Sequence, residues 1–173
     1  MKDDALLPDV CLRAIEPEDL EMLYSIENDK HLWSVCTTNV PYSKYILKEY
    51  IASTKCDIFA DRQLRLMIDN CEQTTVGIID IIDYEPRFRR AEIGVVIRAQ
   101  YRHLGYAAAA LEQVVEYAKN ILHIHMLYAY VSTDNLSSVQ LFTQAGFQPS
   151  AELKDWFCEG DNYKNAYVMQ LFL

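Results

Sequence analysis

The stretch AEIGVVIRAQYRHLGYAAAALEQVVEYAK, residues 91–119, decides the fold. Ile93, Val95 and Ile97 alternate with Glu92, Gly94 and Val96, and even the alternate positions are mostly uncharged. That suits a central strand with both faces covered. From Leu104 the apolar spacing changes to that of a helix, with Leu104, Ala108, Leu111, Val115 and Ala118 on one stripe. The change of period puts a helix start between residues 102 and 106.

The loop between strand and helix carries Gly105, and Ala107 to Ala110 follow it. The first N–H groups of such a helix have no partner inside the helix, and the positive end of its dipole adds to their pull on an anion. Gly105 supplies freedom in φ and, in this reading, removes a side chain where a phosphate oxygen approaches. Arg102 and His103 add cationic or donor groups. An ordinary strand–turn–helix crossover would show the same glycine.

Outward from this stretch, residues 10–14 alternate as a first strand. Pro17, with Glu18 and Asp19 behind it, opens a helix through Leu20, Leu23 and Glu27. Ser43 is placed to cap a second helix. Residues 63–69 and 75–84 read as two neighbouring antiparallel strands leading to the central one. After the long helix comes a strand at 126–132, then a helix capped by Asn135 and stopped at Gly146. Two final strands lie at 147–158 and 163–173. A parallel partner reached by a helical crossover lies beside the central strand.

The 173 residues contain no linker-like or repeated segment and are 51% hydrophobic, so one domain spanning 1–173 is expected. Charges near the N-terminus stand where a signal peptide has its apolar core, and no run is long enough to span a bilayer. A cytoplasmic protein without membrane contact is expected. Five scattered cysteines (Cys11, Cys36, Cys56, Cys71, Cys158) form no Cys-x-x-Cys pair, and the four histidines show no ligand spacing, so no metal is expected. The formal net charge of −9 argues against a nucleic-acid partner and suits a cationic one, though acidity also serves solubility.

Residues 102–107, RHLGYA, resemble the Arg/Gln-x-x-Gly-x-Gly/Ala signature of the GNAT acetyltransferases. Asn135 followed by residues 141–147, LFTQAGF, is similar to the second block of that family. The likeness is strongest to the branch holding spermidine/diamine N-acetyltransferases and ribosomal-protein N-terminal acetyltransferases. It implies an α/β GNAT fold: a mixed, mostly antiparallel seven-stranded sheet, splayed between its central strands and flanked by about four helices. It also implies acetyl-CoA as cofactor. The expected cofactor contacts are Val95, Val96 and Ile97, then Arg102, His103, Leu104, Gly105, Tyr106, Ala107 and Ala108, with Asn135 and Phe142.

Transfer to an amine needs a base, because deprotonating an aliphatic amine of pKa ~10.4 at pH 7 costs about 4–5 kcal/mol. Glu92, beside an apolar strand, is the expected base; a strand-end carboxylate paired with Arg89 or Arg90 is the alternative. The family commonly has a proton-donating Tyr where this chain has Phe142, and a phenyl ring has no proton to give. Tyr130 is the expected replacement, with Tyr163 a second possibility. Glu27, Asp80, Asp83 and Glu92 are the expected binders of the amine. Where the polyamine branch carries paired glutamates before Pro-Tyr, this chain has Asn39-Val40 before Pro41-Tyr42. Trp33 and Trp156 are read as loop anchors or as a frame for the acceptor groove. The expected activity is acetylation of a polyamine or diamine by direct transfer in a ternary complex. A peptide N-terminus and a non-catalytic acyl-CoA-binding module are the alternatives, and a homo-oligomer is compatible with all three.

Overall fold

The computed structural model describes residues 6–32, 40–55 and 57–173. Cys36, Cys56, Trp33 and Asn39 therefore lie outside the described residues. The strands are β1 (Val10–Ala14), β2 (Leu64–Asn70), β3 (Thr75–Glu85), β4 (Arg90–Ile97), β5 (Met126–Ser132), β6 (Gln148–Glu159) and β7 (Asn162–Phe172). They form one sheet in the order β1-β2-β3-β4-β5-β7-β6. Every neighbouring pair is antiparallel except β4 and β5. The helices are α1 (Leu20–Glu27), α2 (Lys44–Ser53), α3 (Ile58–Asp61), α4 (Tyr106–Asn120) and α5 (Leu136–Gln144). α3 is a single turn whose Asp57 cap accepts from Phe59 N, too short for apolar periodicity to announce it.

The sheet is covered on both faces. Ile79, Ile81, Ile93 and Leu127 face one core with Leu111, Val114 and Ala118 of α4. Met67 and Ile78 face the other, with Leu23 and Ile26 of α1 and Leu47 and Ile51 of α2. The helical stripe differs from expectation. Its buried members are Ala109, Ala110, Leu111, Val114 and Ala118, while Leu104 is exposed and Ala108 and Val115 are half-buried. The helix begins at Tyr106, inside the expected window of 102–106, and its buried face adds Ala109, Ala110 and Val114 to the expected Leu111 and Ala118.

A charged network locks β1 against the turn before α1. The Arg13 guanidinium donates to Asp19 at 2.7 and 2.8 Å and to Asp69 at 2.6 Å. Thr75 donates to Asp69 at 2.7 Å. Burial alone would push the Asp19 carboxyl up, but the Arg13 hydrogen bonds outweigh it and hold Asp19 below the usual carboxylate range. Asp19 is therefore an ion-pair partner as well as a first-turn acid.

The feature that positions the site is the short contact between β4 and β5. Only Arg90↔Met126, Ala91↔Leu127 and Glu92↔Tyr128 are in register. β4 then continues against β3 as far as Ile97, and β5 against β7 as far as Ser132. Past Glu92 and Tyr128 the two strands diverge, each held by its other neighbour. The gap opens toward the N-terminal end of α4, since the chain leaves β4 at Ile97 and enters α4 at Tyr106.

Candidate active site

Three sets of groups surround this gap. The first is the loop at the start of α4. His103 and Gly105 both have left-handed backbone, at φ 62° and 86°. Gly105 is the N-cap, and no side chain caps the helix. Among the described residues, the first backbone donor of this turn with a protein acceptor is Ala109, which bonds Gly105 O at 3.0 Å. The amides of Tyr106, Ala107 and Ala108 are thus left unpaired, as an anion site requires. Arg102 is turned inward at one nitrogen, its Nε donating to Ile97 O at 3.0 Å, while Nη1 and Nη2 have no partner among the described residues. Gly105 has a further reason for its bareness. A Cβ there would lie 2.9 Å from Pro8 Cδ, so the missing side chain makes room for the N-terminal segment as well as permitting φ 86°.

The second set is α5 and its ends. Asn135 caps the helix, its Oδ1 accepting from Ser138 N at 3.2 Å and from Ser137 Oγ at 3.0 Å. Its amide nitrogen has no partner among the described residues. At the other end, Phe147 N donates to Phe142 O at 2.9 Å and Gly146 N to Thr143 O at 3.0 Å, with Gly146 at φ 95°. This is a Schellman stop, which favours an apolar contact between its first and last residues. Phe142 and Phe147 make that contact edge-on at 5.1 Å. Phe142 is 5% exposed and packs in the main core, so the ring is explained by packing and offers no polar atom to a cofactor. Any contact it makes with a cofactor is therefore apolar.

The third set is the carboxylates and aromatics on the face of Glu92. Residues paired across neighbouring strands share a face, so Glu92 and Tyr128 stand side by side, with Tyr130 two residues further on. Among the described residues Glu92 forms no ion pair with Arg89, Arg90 or any other base. Burial first, and then the like charge of Asp83, push its carboxyl up to about 7. Asp83 is held nearby at a left-handed φ of 50°, where β3 leaves register between Ile82 and Glu85. Burial and the Glu92 charge push the Tyr128 phenol up to about 12. Tyr128 carries no local sign of a place in the site. Only the strand register reveals it, and no local pattern carries that register.

Glu27 and Asp80 are elsewhere engaged. Arg65 donates to Asp80 through two bonds of 2.8 Å each and to Glu27 at 2.5 Å. Burial would lower the Arg65 guanidinium, but Asp80 and Glu27 raise it and keep it charged. Both acids already hold a protein cation, so an amine at either would compete with Arg65. The acids without such a cation are Glu92 and Asp83. Tyr130 stacks on Trp156 at 5.1 Å, and Tyr163 lies beside the hairpin turn, paired with Cys158.

The site thus combines unpaired helix amides, a cleft between parallel strands and a carboxyl poised near neutrality. Such a carboxyl can take a proton at pH 7, and a cleft lined by strand edges can hold an extended amide-bearing chain. Comparison with known proteins fits this chemistry. The chain is 24% identical to the spermidine N(1)-acetyltransferase of Vibrio cholerae serotype O1, over 92% of each protein. It is 25% identical to the L-amino acid N-acetyltransferase AaaT of Escherichia coli strain K12, over 94% of this chain and 98% of that one. Among solved structures, the Vibrio cholerae spermidine N-acetyltransferase in complex with CoA and spermine superposes with a TM-score of 0.84. It is 24% identical, and the match covers 94% of this chain and 95% of that one. No helix among the described residues is long and apolar enough to cross a membrane. With the acetyltransferase (GNAT) domain matching residues 9–148, the chain belongs to the GNAT family and is an acetyl-CoA-dependent N-acetyltransferase.

Proposed function

We propose that this enzyme acetylates a polyamine or diamine by direct transfer in a ternary complex, with Glu92 as the base. The observation that carries the reading is the pair Glu92 and Asp83. They are two acids without a protein cation among the described residues, at the point where β4 and β5 part. A like-charged pair at the reacting end favours a dication over a peptide, whose α-amine of pKa ~7.7–8.0 needs little help to lose its proton. It also disfavours an amino acid, whose carboxylate would meet the same two acids.

Acetyl-CoA supplies the acetyl thioester. Its diphosphate is assigned to the amides of Tyr106, Ala107 and Ala108, with Arg102, His103, Leu104 and Gly105 forming the loop and Asn135 presenting an amide nitrogen. The arm is assigned to the gap lined by Val95, Val96 and Ile97, whose backbone donors on the β5 side are left without a strand partner. Those donors would polarise the acyl carbonyl of a bound thioester. Glu92 takes a proton from the ammonium, and the neutral amine so formed attacks; this base contributes about 10²–10⁴ in rate. The Tyr130 hydroxyl, on the same face, would supply the proton that the thiolate needs and that Phe142, lacking a hydroxyl, does not offer. The domain is taken to span 1–173, and the protein to be cytoplasmic and a homo-oligomer. One solved relative of TM-score 0.81 is a dodecamer, and β6 here is exposed along most of its length.

Thiol release with saturating acetyl-CoA and an amine panel tests the proposal. Turnover of spermidine or putrescine is expected. Turnover confined to peptides, or tight CoA binding with no turnover at all, refutes it.

A further inference from the structure

The register of β6 against β7 shifts at two places, between Pro149 and Ala151 and, by more residues, between Leu153 and Phe157. The register passes from Leu153↔Ala166 to Phe157↔Lys164, so residues 154–156 stand opposite Asn165 alone. Asp155 occupies left-handed backbone at φ 49°, and its N–H donates to Asn165 Oδ1 at 3.1 Å. A bulge of this kind re-aims the side chains it carries, and bulges gather beside functional sites. Here the redirected side chain is Trp156. Its indole lies on the Tyr130 ring at 5.1 Å with 29° between planes, yet it remains 50% exposed.

The stack extends the reacting centre. Tyr130 meets Tyr128 edge-on at 5.7 Å, and Tyr128 is the strand partner of Glu92. An aromatic surface therefore runs from the poised carboxyl to an open indole in ring-to-ring steps of 5.7 and 5.1 Å. Each step resembles the spacing of amines joined by three or four methylenes. The protein's own cations do not occupy it. Among the described residues, cations lie over Tyr24, Tyr50, Phe88 and Tyr101, and Lys154 in the bulge instead bonds Glu152 at 2.7 Å. An indole is the strongest π-face for a cation, and a methylene chain packs on the phenol rings between.

We propose that Trp156 is a specificity-determining residue: with Tyr130 and Tyr128 it binds the methylene run and second ammonium of a linear polyamine whose first amine is at Glu92. This rests on the polyamine reading above and adds the feature that distinguishes a polyamine from a simple amine.

The experiment compares butylamine, which carries one cation, with spermidine. Wild type, Trp156→Phe and Trp156→Leu are assayed by thiol release. Wild type is expected to prefer spermidine in kcat/KM by more than tenfold. Trp156→Leu is expected to lower the spermidine-to-butylamine ratio by about 3- to 30-fold, with Trp156→Phe between the two. An unchanged ratio overturns the platform, because a merely structural tryptophan affects both amines alike. Should the variants fail to fold, wild type still decides: equal kcat/KM for the two amines overturns the platform while leaving amine acetylation intact. A wild type that binds acetyl-CoA and acetylates neither amine overturns the parent reading, and this inference with it.

Discussion

Glu92→Gln keeps the side-chain volume, breaks no ion pair or side-chain hydrogen bond among the described residues, and removes the only change the base role depends on. In wild type, kcat/KM for spermidine should rise with pH through about 7, where the Glu92 carboxyl ionises, and then level off while the amine remains protonated. The variant must wait for amine that is already neutral. With an amine pKa of ~10.4 that fraction is about 1 in 800 at pH 7.5, so the deficit there is at most about 10³-fold, or roughly 4 kcal/mol. It should shrink about tenfold for each pH unit up to ~9.5. Stability gives an independent check with a definite sign. The carboxyl is raised from 4.5 to about 7, so its contribution is fully present below about 4.5 and is lost as pH rises through about 7. Above that, the ionised Glu92 carboxylate, partly buried and beside Asp83, destabilises the folded state. The glutamine variant should therefore melt several degrees higher than wild type at pH 8 and at the same temperature near pH 4.5. A deficit in kcat/KM that is the same at every pH would refute the base assignment and leave Glu92 as a binder of the amine.

Four further outcomes follow from the geometry. Asp83→Asn removes the like charge that helps raise Glu92, so the ascending limb of the pH–rate profile should move to lower pH; a limb that stays in place contradicts the pairing. Arg13→Ala leaves Asp19 and Asp69 buried without their cation and should destabilise by about 3–5 kcal/mol in urea unfolding at pH 7. Gly105→Ala forces φ 86° on a residue with a Cβ and drives it against Pro8. A loss of about 1–2 kcal/mol of stability is expected, with weakened CoA binding by calorimetry, because the same turn presents the unpaired amides. Phe142→Tyr should bring no gain in kcat and should lower Tm, since a hydroxyl buried among the packed rings costs about 1–3 kcal/mol if unpaired. A rate gain there would show that the departing sulfur lies at α5 and not at Tyr130.

What the sequence disclosed was whatever depends on neighbours along the chain. The change from strand to helix spacing after Ile97, the Ser43 and Asn135 caps and the Gly146 stop are local chemistry, and each stands where its residues put it. The stripe of α4 is legible in part: Leu111 and Ala118 are buried as their spacing predicts, whereas Leu104 continues the apolar pattern in the loop before the helix and is exposed. The site was less legible, for a physical reason. Whether a carboxylate is open or neutralised depends on what stands across the sheet, and four acids of one type divide on that alone. Asp80 and Glu27 meet Arg65, whereas Glu92 and Asp83 meet no cation among the described residues. No spacing along the chain separates those cases.

Tyr128 and Trp156 owe their places to the same dependence on strand register. Tyr128 reaches Glu92 through a parallel pairing only three residues long, and Trp156 reaches Tyr130 because β6 bulges against Asn165. Both depend on register between strands far apart in sequence, which shifts every side chain to the opposite face if it slips by one residue. The chemistry is therefore set by where β4 and β5 stop pairing. A pairing one step longer would close the cleft over the strand amides, and one step shorter would separate Glu92 from Tyr128 and leave the carboxyl in water, with an ordinary pKa and little value as a base at neutral pH.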